Sequence, residues 1–544
     1  MRLALLLGLA MPALVAATAP APQFDTARIS NDIRTLASDA FEGRGPATAG
    51  EEKTVAYLIR QMQAAGLQPG GPLVNGRRGW VQDVPLLRSD IAGTPRLSID
   101  GTPLAQGQEI AVRAPLNGDK QVRITDAPMV FVGYGVTAPE RRWDDFKTMD
   151  VKGKILVVLI NDPDFETGAG DFGGKAMTYY GRWTYKYEEA ARRGALGTLI
   201  VHETAPASYG WNTVKNSNAN TQFDIVRDQP RASHAPLEAW ITRDEAVALF
   251  KASGLDFDAE KKAAQSRGFS PKMLKPRFSA DYAADVGVIH SKNVLGRVEG
   301  AGHPDETVLY SAHWDHLGVG LPDARGDRIY NGAADNASGT AALLELGRAF
   351  AKAPRPDRSV VFLAVTAEEK GLLGSEYYAN NPVYPLATTA GVFNMDGPFG
   401  LGAAHDFTIS GSAKLGLLDQ LTANAAAQGR HYAPDSRPEA GSFYRSDHFS
   451  FAKRGVPAIS YQNGIDLVQG GEARGRMLRD AYTRDRYHQP ADEWSPDMDL
   501  SAVPQALGLL FTTGEQLANS RDWPNWSQDS EFRAARDASA ASRR

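Results

Sequence analysis

From Val286 onward, short β-branched and aliphatic runs alternate with stretches whose apolar residues recur at helical spacing, and this alternation limits the possible folds more than any other feature. Strands are predicted over 307–312, 359–366, 391–395 and 458–462, and helices over 339–352, 375–380, 414–428 and 503–519. The pattern specifies an α/β fold: a mixed, largely parallel central sheet flanked by helices on both faces. In such open sheets, ligands bind outside the carboxyl ends of the strands.

Those ends carry acidic and imidazole side chains. The first strand runs into His313-Trp314-Asp315, the second into Glu368-Glu369, and the third ends on Asp396. Two loops add Asp335, within Asn331-Gly-Ala-Ala-Asp335-Asn-Ala-Ser-Gly, and His488. The small residues around Asp335 allow close backbone approach and suit its carboxylate to bridging two metals. Burying several carboxylates together without cations is costly, so the group as a whole reads as a metal centre.

The chain has 544 residues, 42% hydrophobic and 23% charged, enough for more than one core. A net charge of -5 without long runs of like charge provides no basic field for nucleic acid. Cysteine is absent, which excludes disulfides, thiolate ligands and cysteine nucleophiles. Any metal must therefore be held by His, Asp and Glu, a set suited to catalytic zinc.

At the N-terminus, Arg2 precedes an apolar stretch too short to span a bilayer, followed by small residues, the pattern of a secretory signal peptide over 1–19. The mature protein is accordingly expected to be periplasmic or secreted, with no stable membrane insertion. Two helices around a Gly-rich loop are predicted between 26 and 66, and only short apolar runs between 70 and 120. A β-rich unit inserted over 120–280 contains the buried run 155–160. The last residues, 523–544, rich in Ser, Ala and Arg, read as a flexible tail.

His313-Trp-Asp315-His, the Asp335 loop, Glu368-Glu369-Lys-Gly-Leu-Leu-Gly-Ser, Asn394-Met-Asp396 and Tyr487-His488 together resemble, in order, the motifs of the M28 family of co-catalytic zinc peptidases. The segment SDAFEGRGPATAG is also similar to family members. FVGYGV, DVKGKILVV and YEEAARRGALGTLIVH resemble the protease-associated domain inserted in many of them. The resemblance implies a zinc-peptidase, phosphorylase-hydrolase-like domain over 24–115 and 285–522, interrupted by that insert. It implies two zinc ions, with Asp335 bridging, Glu369 and His488 completing one site, and His313 and Asp396 the other. It further makes Asp315 the carboxylate orienting His313 and Glu368 the general base.

Tyr444, in Tyr444-Arg445-Ser446-Asp447-His448, is the candidate for stabilising the oxyanion. The expected activity is removal of N-terminal residues from peptide substrates. A carboxypeptidase or dipeptidase on the same centre is the alternative, with Arg445 a basic residue suited to a substrate carboxylate. A glutaminyl cyclase-like acyltransferase or a non-catalytic binding protein shares the resemblance, but retention of every ligand favours the two-metal hydrolase. Oligomeric state is not legible in the sequence.

Overall fold

A computed structural model describes residues 22–543 apart from 321, 398 and 400, so the signal peptide expected over 1–19 lies outside the described residues. Strand Arg358–Val365 is buried at every position, and its alternating side chains serve two helical layers. Val360, Phe362 and Ala364 join the core beneath helices Ser338–Lys352 and Val503–Asn519. Val361, Leu363 and Val365 pack with Tyr378 and Phe451 on the other face. A strand covered on both sides has no polar face to show, which is why it reads in the sequence as an unbroken apolar run.

Around it the order is Ala458–Asn463, Thr389–Met395, His303–His313, Arg358–Val365, all parallel, so their carboxyl ends share one edge. Asp406–Ile409 and Lys272–Val298 flank this parallel group as antiparallel neighbours. The predicted helical pair is present as Thr26–Leu36 and Ala49–Ala64, the first capped by the Asp25 carboxylate accepting from the Arg28 amide. This is the mixed, largely parallel sheet flanked by helices that the alternation specifies.

The sheet continues into a second body. There Gln121–Phe131, Ile155–Leu159, Gly197–His202 and Leu237–Thr242 are again parallel, edged by antiparallel Ile110–Val112. Helices Trp183–Arg192 and Arg243–Ala252 pack against them, so "β-rich" understates this region. Its strands keep their own apolar clusters, one around Phe131 and Phe250 and another around Val158 and Trp240.

One 27-residue strand, Lys272–Val298, belongs to both bodies. It pairs with Gln121–Phe131 near its start, with Val81–Ile99 along its middle and with Arg358–Val365 at its end. The expected borders at 280 and 285 therefore fall inside a continuous strand. Its partner, Val81–Ile99, occupies the stretch read as short runs. Pro85, Gly93 and Pro95 look like breaks, yet Gly93, at φ +75°, lies beside the shift of register at 281–283 and lets the ladder continue.

The expected flexible tail over 523–544 is corrected by the structure. Trp526 and Phe532 are buried, the Trp526 indole donates to the Gly455 carbonyl at 3.0 Å, and Arg536, from helix Arg533–Ala538, donates to the Thr389 carbonyl at 3.0 Å. The Ser, Ala and Arg composition hides a few large anchors, and those decide the packing. Helix Gly471–Asp485 was also not foreseen; only Gly475 in it is buried, so it has no apolar stripe to betray it. Among the described residues, no helix is long and apolar enough to cross a membrane.

Where the second body meets the long ribbon, His234 lies 2.8 Å from Glu238 and 3.0 Å from Asp224, whose strand Gln222–Ile225 pairs with Leu86–Ser89. Burial alone would lower the imidazole, but Glu238 and Asp224 outweigh it and raise it from 6.5 to about 9. The folded chain thus keeps a proton that the unfolded chain releases near pH 6.5. Its stabilisation is complete below that pH and is lost as pH climbs through about 9, a change on the order of 3 kcal/mol. Urea unfolding at pH 6 and pH 9.5 is expected to show this loss, with a smaller pH difference in His234→Gln.

Candidate metal centre

The parallel strands place three sets of donors at one edge. His303–His313 ends on His313, Thr389–Met395 leads directly into Asp396, and after Arg358–Val365 the chain turns through Ala367, at φ +52°, to present Glu368 and Glu369. Asp335 arrives from the segment preceding helix Ser338–Lys352, where Asp492 accepts hydrogen bonds from the Ala334 and Asp335 amides, each at 3.1 Å. His488, at φ +57°, follows helix Gly471–Asp485.

All five predicted ligands converge. His313 Nε2 lies 3.2 Å from Asp396 Oδ1 and 3.3 Å from Asp335 Oδ1; His488 Nε2 lies 3.2 Å from Asp335 Oδ2 and 3.1 Å from Glu369 Oε2. The two oxygens of Asp335 therefore face different imidazoles, each accompanied by a different second carboxylate. Tetrahedral zinc with ligand bonds near 2.0–2.1 Å sets its ligands about 3.3 Å apart, so the donor spacing fits. Ligand atoms of His313, Asp335 and Glu369 lie mutually within 4.8 Å, as do those of His313, Glu368 and Asp396.

The electrostatics point the same way. Burial would lower His313 and His488, but the surrounding carboxylates raise both, His488 to about 10. Burial would raise Asp335 and Glu369, but the imidazoles hold them low, Glu369 at about 2. Glu368 differs: burial, with Asp396, Glu369 and Asp447 nearby, pushes its carboxyl well above the usual range. Adjacent glutamates are thus driven apart, Glu369 toward the anion and Glu368 toward the protonated carboxyl.

Asp315 is fully enclosed. Its carboxylate accepts from the Glu368 amide at 3.1 Å and lies 3.7 Å from His313 Nδ1, while its backbone oxygen is closer to that nitrogen, at 3.1 Å. It braces His313 and Glu368 together. Tyr444 is not brought to the cluster: its hydroxyl donates to Glu531 at 3.0 Å, and its ring packs against Phe443 and Phe449. The tyrosine at the centre is Tyr487, whose ring stacks on His488 at 3.8 Å between centroids. Burial, then Asp335, Glu369, Glu368 and Asp396, hold its hydroxyl protonated. Its signal was present in the sequence, as the neighbour of a ligand.

Three other residues escaped the sequence reading as parts of the site. His316 is buried 2.7 Å from Glu369 Oε1, close enough for an ion pair but without hydrogen-bond alignment. Asp492 fixes the Asp335 loop, as described. Arg44 is wholly buried and donates to the carbonyls of Trp314 at 2.8 Å, Leu36 at 2.9 Å, Asn331 at 2.6 Å and Gly332 at 2.9 Å. Burial lowers it to about 10 against the pull of Asp315 and Asp492, so it stays charged at neutral pH. It clamps the His313 loop to the Asp335 loop. Arg44→Met strands four carbonyls and is expected to cost roughly 3–5 kcal/mol. It should also weaken zinc binding about 10–100-fold, as loss of ligand support does; urea unfolding and zinc titration measure the two effects.

Comparison with known proteins agrees with this geometry. Residues 293–507 match the profile of Peptidase family M28. A probable zinc metalloprotease of Leptosphaeria maculans is 31% identical over 141 residues, 26% of this chain and 30% of that protein. A probable glutamate carboxypeptidase of Zea mays is 24% identical over 399 residues, 67% of this chain and 49% of that protein. The match thus spans about half or less of the length of either relative. The solved aminopeptidase from Aneurinibacillus sp. strain AM-1 shares the fold, with a TM-score of 0.50 at 21% identity over 92% of this chain and 95% of that one. The parallel sheet thus brings His313, Asp335, Glu369, Asp396 and His488 to one edge within residues 293–507, the segment of this chain that matches the model of peptidase family M28.

Proposed function

We propose that the chain is an exported exopeptidase with two zinc ions, an aminopeptidase that releases N-terminal residues from peptides. The observation that carries this reading is the placement of the two Asp335 oxygens, 3.3 Å from His313 and 3.2 Å from His488. Asp335 would belong to both ions, with His313 and Asp396 completing one site and His488 and Glu369 the other. Zinc bound there supplies a Lewis acid for the scissile carbonyl and lowers the pKa of a bound water.

Glu368 takes the proton of the attacking water and returns it to the departing amine, a task for which its raised pKa suits it. Asp315 holds His313 and the Glu368 backbone in register. Tyr487, rather than Tyr444, donates to the oxygen on which negative charge develops. The second body, from strand Ile110–Val112 to the start of strand Lys272–Val298, acts as a protease-associated domain beside the peptidase domain. Export follows from the Arg2-led apolar N-terminus.

Aminoacyl-p-nitroanilides, N-blocked peptides and dipeptides, assayed before and after chelation and zinc restoration, test the reading. Cleavage confined to free-amine substrates and restored by zinc is the expected result. Cleavage only from the carboxyl end replaces it with the carboxypeptidase reading. Absence of zinc-dependent hydrolysis removes the peptidase altogether.

A further inference from the structure

A cleft of 730 Å³ lies between the two bodies and reaches the metal centre at Glu369, Lys370 and Gly371. Its lining is cationic: Arg88, Arg113, Arg182, Arg445 and Lys370, against the single carboxylate of Glu369. Arg88 is paired with Asp90, and Arg113 with Glu238. Among the described residues, Arg182, Arg445 and Lys370 have no carboxylate partner.

Arg182 is the telling residue. It is more than nine-tenths buried, at 8% exposure, and its Nε is enclosed without a hydrogen-bond partner. Arg445 lies with its guanidinium 5.8 Å from the centre of the Tyr209 ring, another wall of the cleft, and is close enough to Arg182 to repel it. Enclosing a guanidinium beside a second one costs free energy that no anion of this chain offsets. A protein retains such an arrangement when a ligand brings the anion. Planar guanidinium forks match a carboxylate bidentately, and the volume suits a small ligand.

We propose that this cleft binds a carboxylate of the peptide substrate, with Arg182 and Arg445 as its principal ligands, so that peptides with a carboxylate within reach of the metal centre are preferred. This rests on the peptidase reading above. The carboxylate comes either from the C-terminus of a short peptide or from an acidic side chain, and both present the same group to the same arginines.

Calorimetric binding to zinc-loaded Glu368→Gln protein separates the two sources. Leu-Gly-Gly is compared with its C-terminal amide, and Leu-Gly-Glu-amide with Leu-Gly-Gln-amide, while wild-type protein is assayed for hydrolysis of all four. In at least one pair the carboxylate form is expected to bind tenfold tighter or more, the first pair identifying the C-terminus and the second the side chain. Arg182→Gln and Arg445→Gln, each added to Glu368→Gln, are expected to reduce that ratio to below threefold. Should the buried Arg182 variant not fold, the exposed Arg445 variant decides. Equal binding within both pairs, or a ratio unchanged by the substitutions, overturns the proposal. Carboxylate-selective binding without wild-type hydrolysis would discard the peptidase reading and leave the carboxylate site standing.

Discussion

Replacing Glu368 with alanine is expected to lower kcat by about a thousandfold, the middle of the range for loss of a positioned general base, while zinc content stays at the wild-type value. The separation of roles follows from the environment. Glu369 is held anionic by His316 and His488, whereas Glu368 is raised by burial and by its anionic neighbours. Metal analysis beside steady-state kinetics checks it, because ligand atoms of Glu368 also lie within 4.8 Å of those of His313 and Asp396. A variant that loses a zinc ion along with its activity would make Glu368 a ligand. One that retains activity within tenfold would free it of any proton-transfer role.

Asp335→Ala is expected to reduce zinc from two ions per chain to at most one, with kcat falling by three orders of magnitude or more, since both ions would share this carboxylate. Stability should follow. A site saturated a thousandfold above its Kd contributes about 4 kcal/mol to the folded state, so chelation should lower the thermal midpoint of the wild type far more than that of the variant. Titration with a zinc-responsive dye, followed by thermal unfolding with and without chelator, measures both. Two zinc ions retained in Asp335→Ala would remove the bridging assignment.

Much of the half that carries the candidate metal centre was legible because its strands are buried on both faces. An unbroken run such as Val360-Val361-Phe362-Leu363-Ala364-Val365 has few alternatives, and a polar residue after it marks the sheet edge. His313, Glu369 and Asp396 stood out for that reason, whereas Asp335 and His488 lie in loops and were legible from the residues around them. Arg44 did not, because a guanidinium that clamps carbonyls at 314, 331 and 332 bonds to backbone, which leaves no trace in the identities of its partners. The tail misled by composition: Trp526 and Phe532 anchor a segment otherwise made of small and charged residues.

Tyr444 and Tyr487 show where sequence order stops informing. Both precede residues of catalytic type, yet one reaches Glu531 and the other stacks on His488, and only the packing of helix Gly471–Asp485 and the terminal segment distinguishes them. The sequence by itself determined the α/β class, the donor types and the strand ends that carry them, since these depend on local periodicity and on the chemistry of single side chains. Tertiary structure alone decided which oxygen of Asp335 faces which imidazole, which tyrosine attends the centre, and that Arg182 and Arg445 meet beside it. His313, Asp335 and His488 meet from distant segments of one body, whereas Arg182 and Arg445 meet in the cleft between the two bodies that the long strand Lys272–Val298 links.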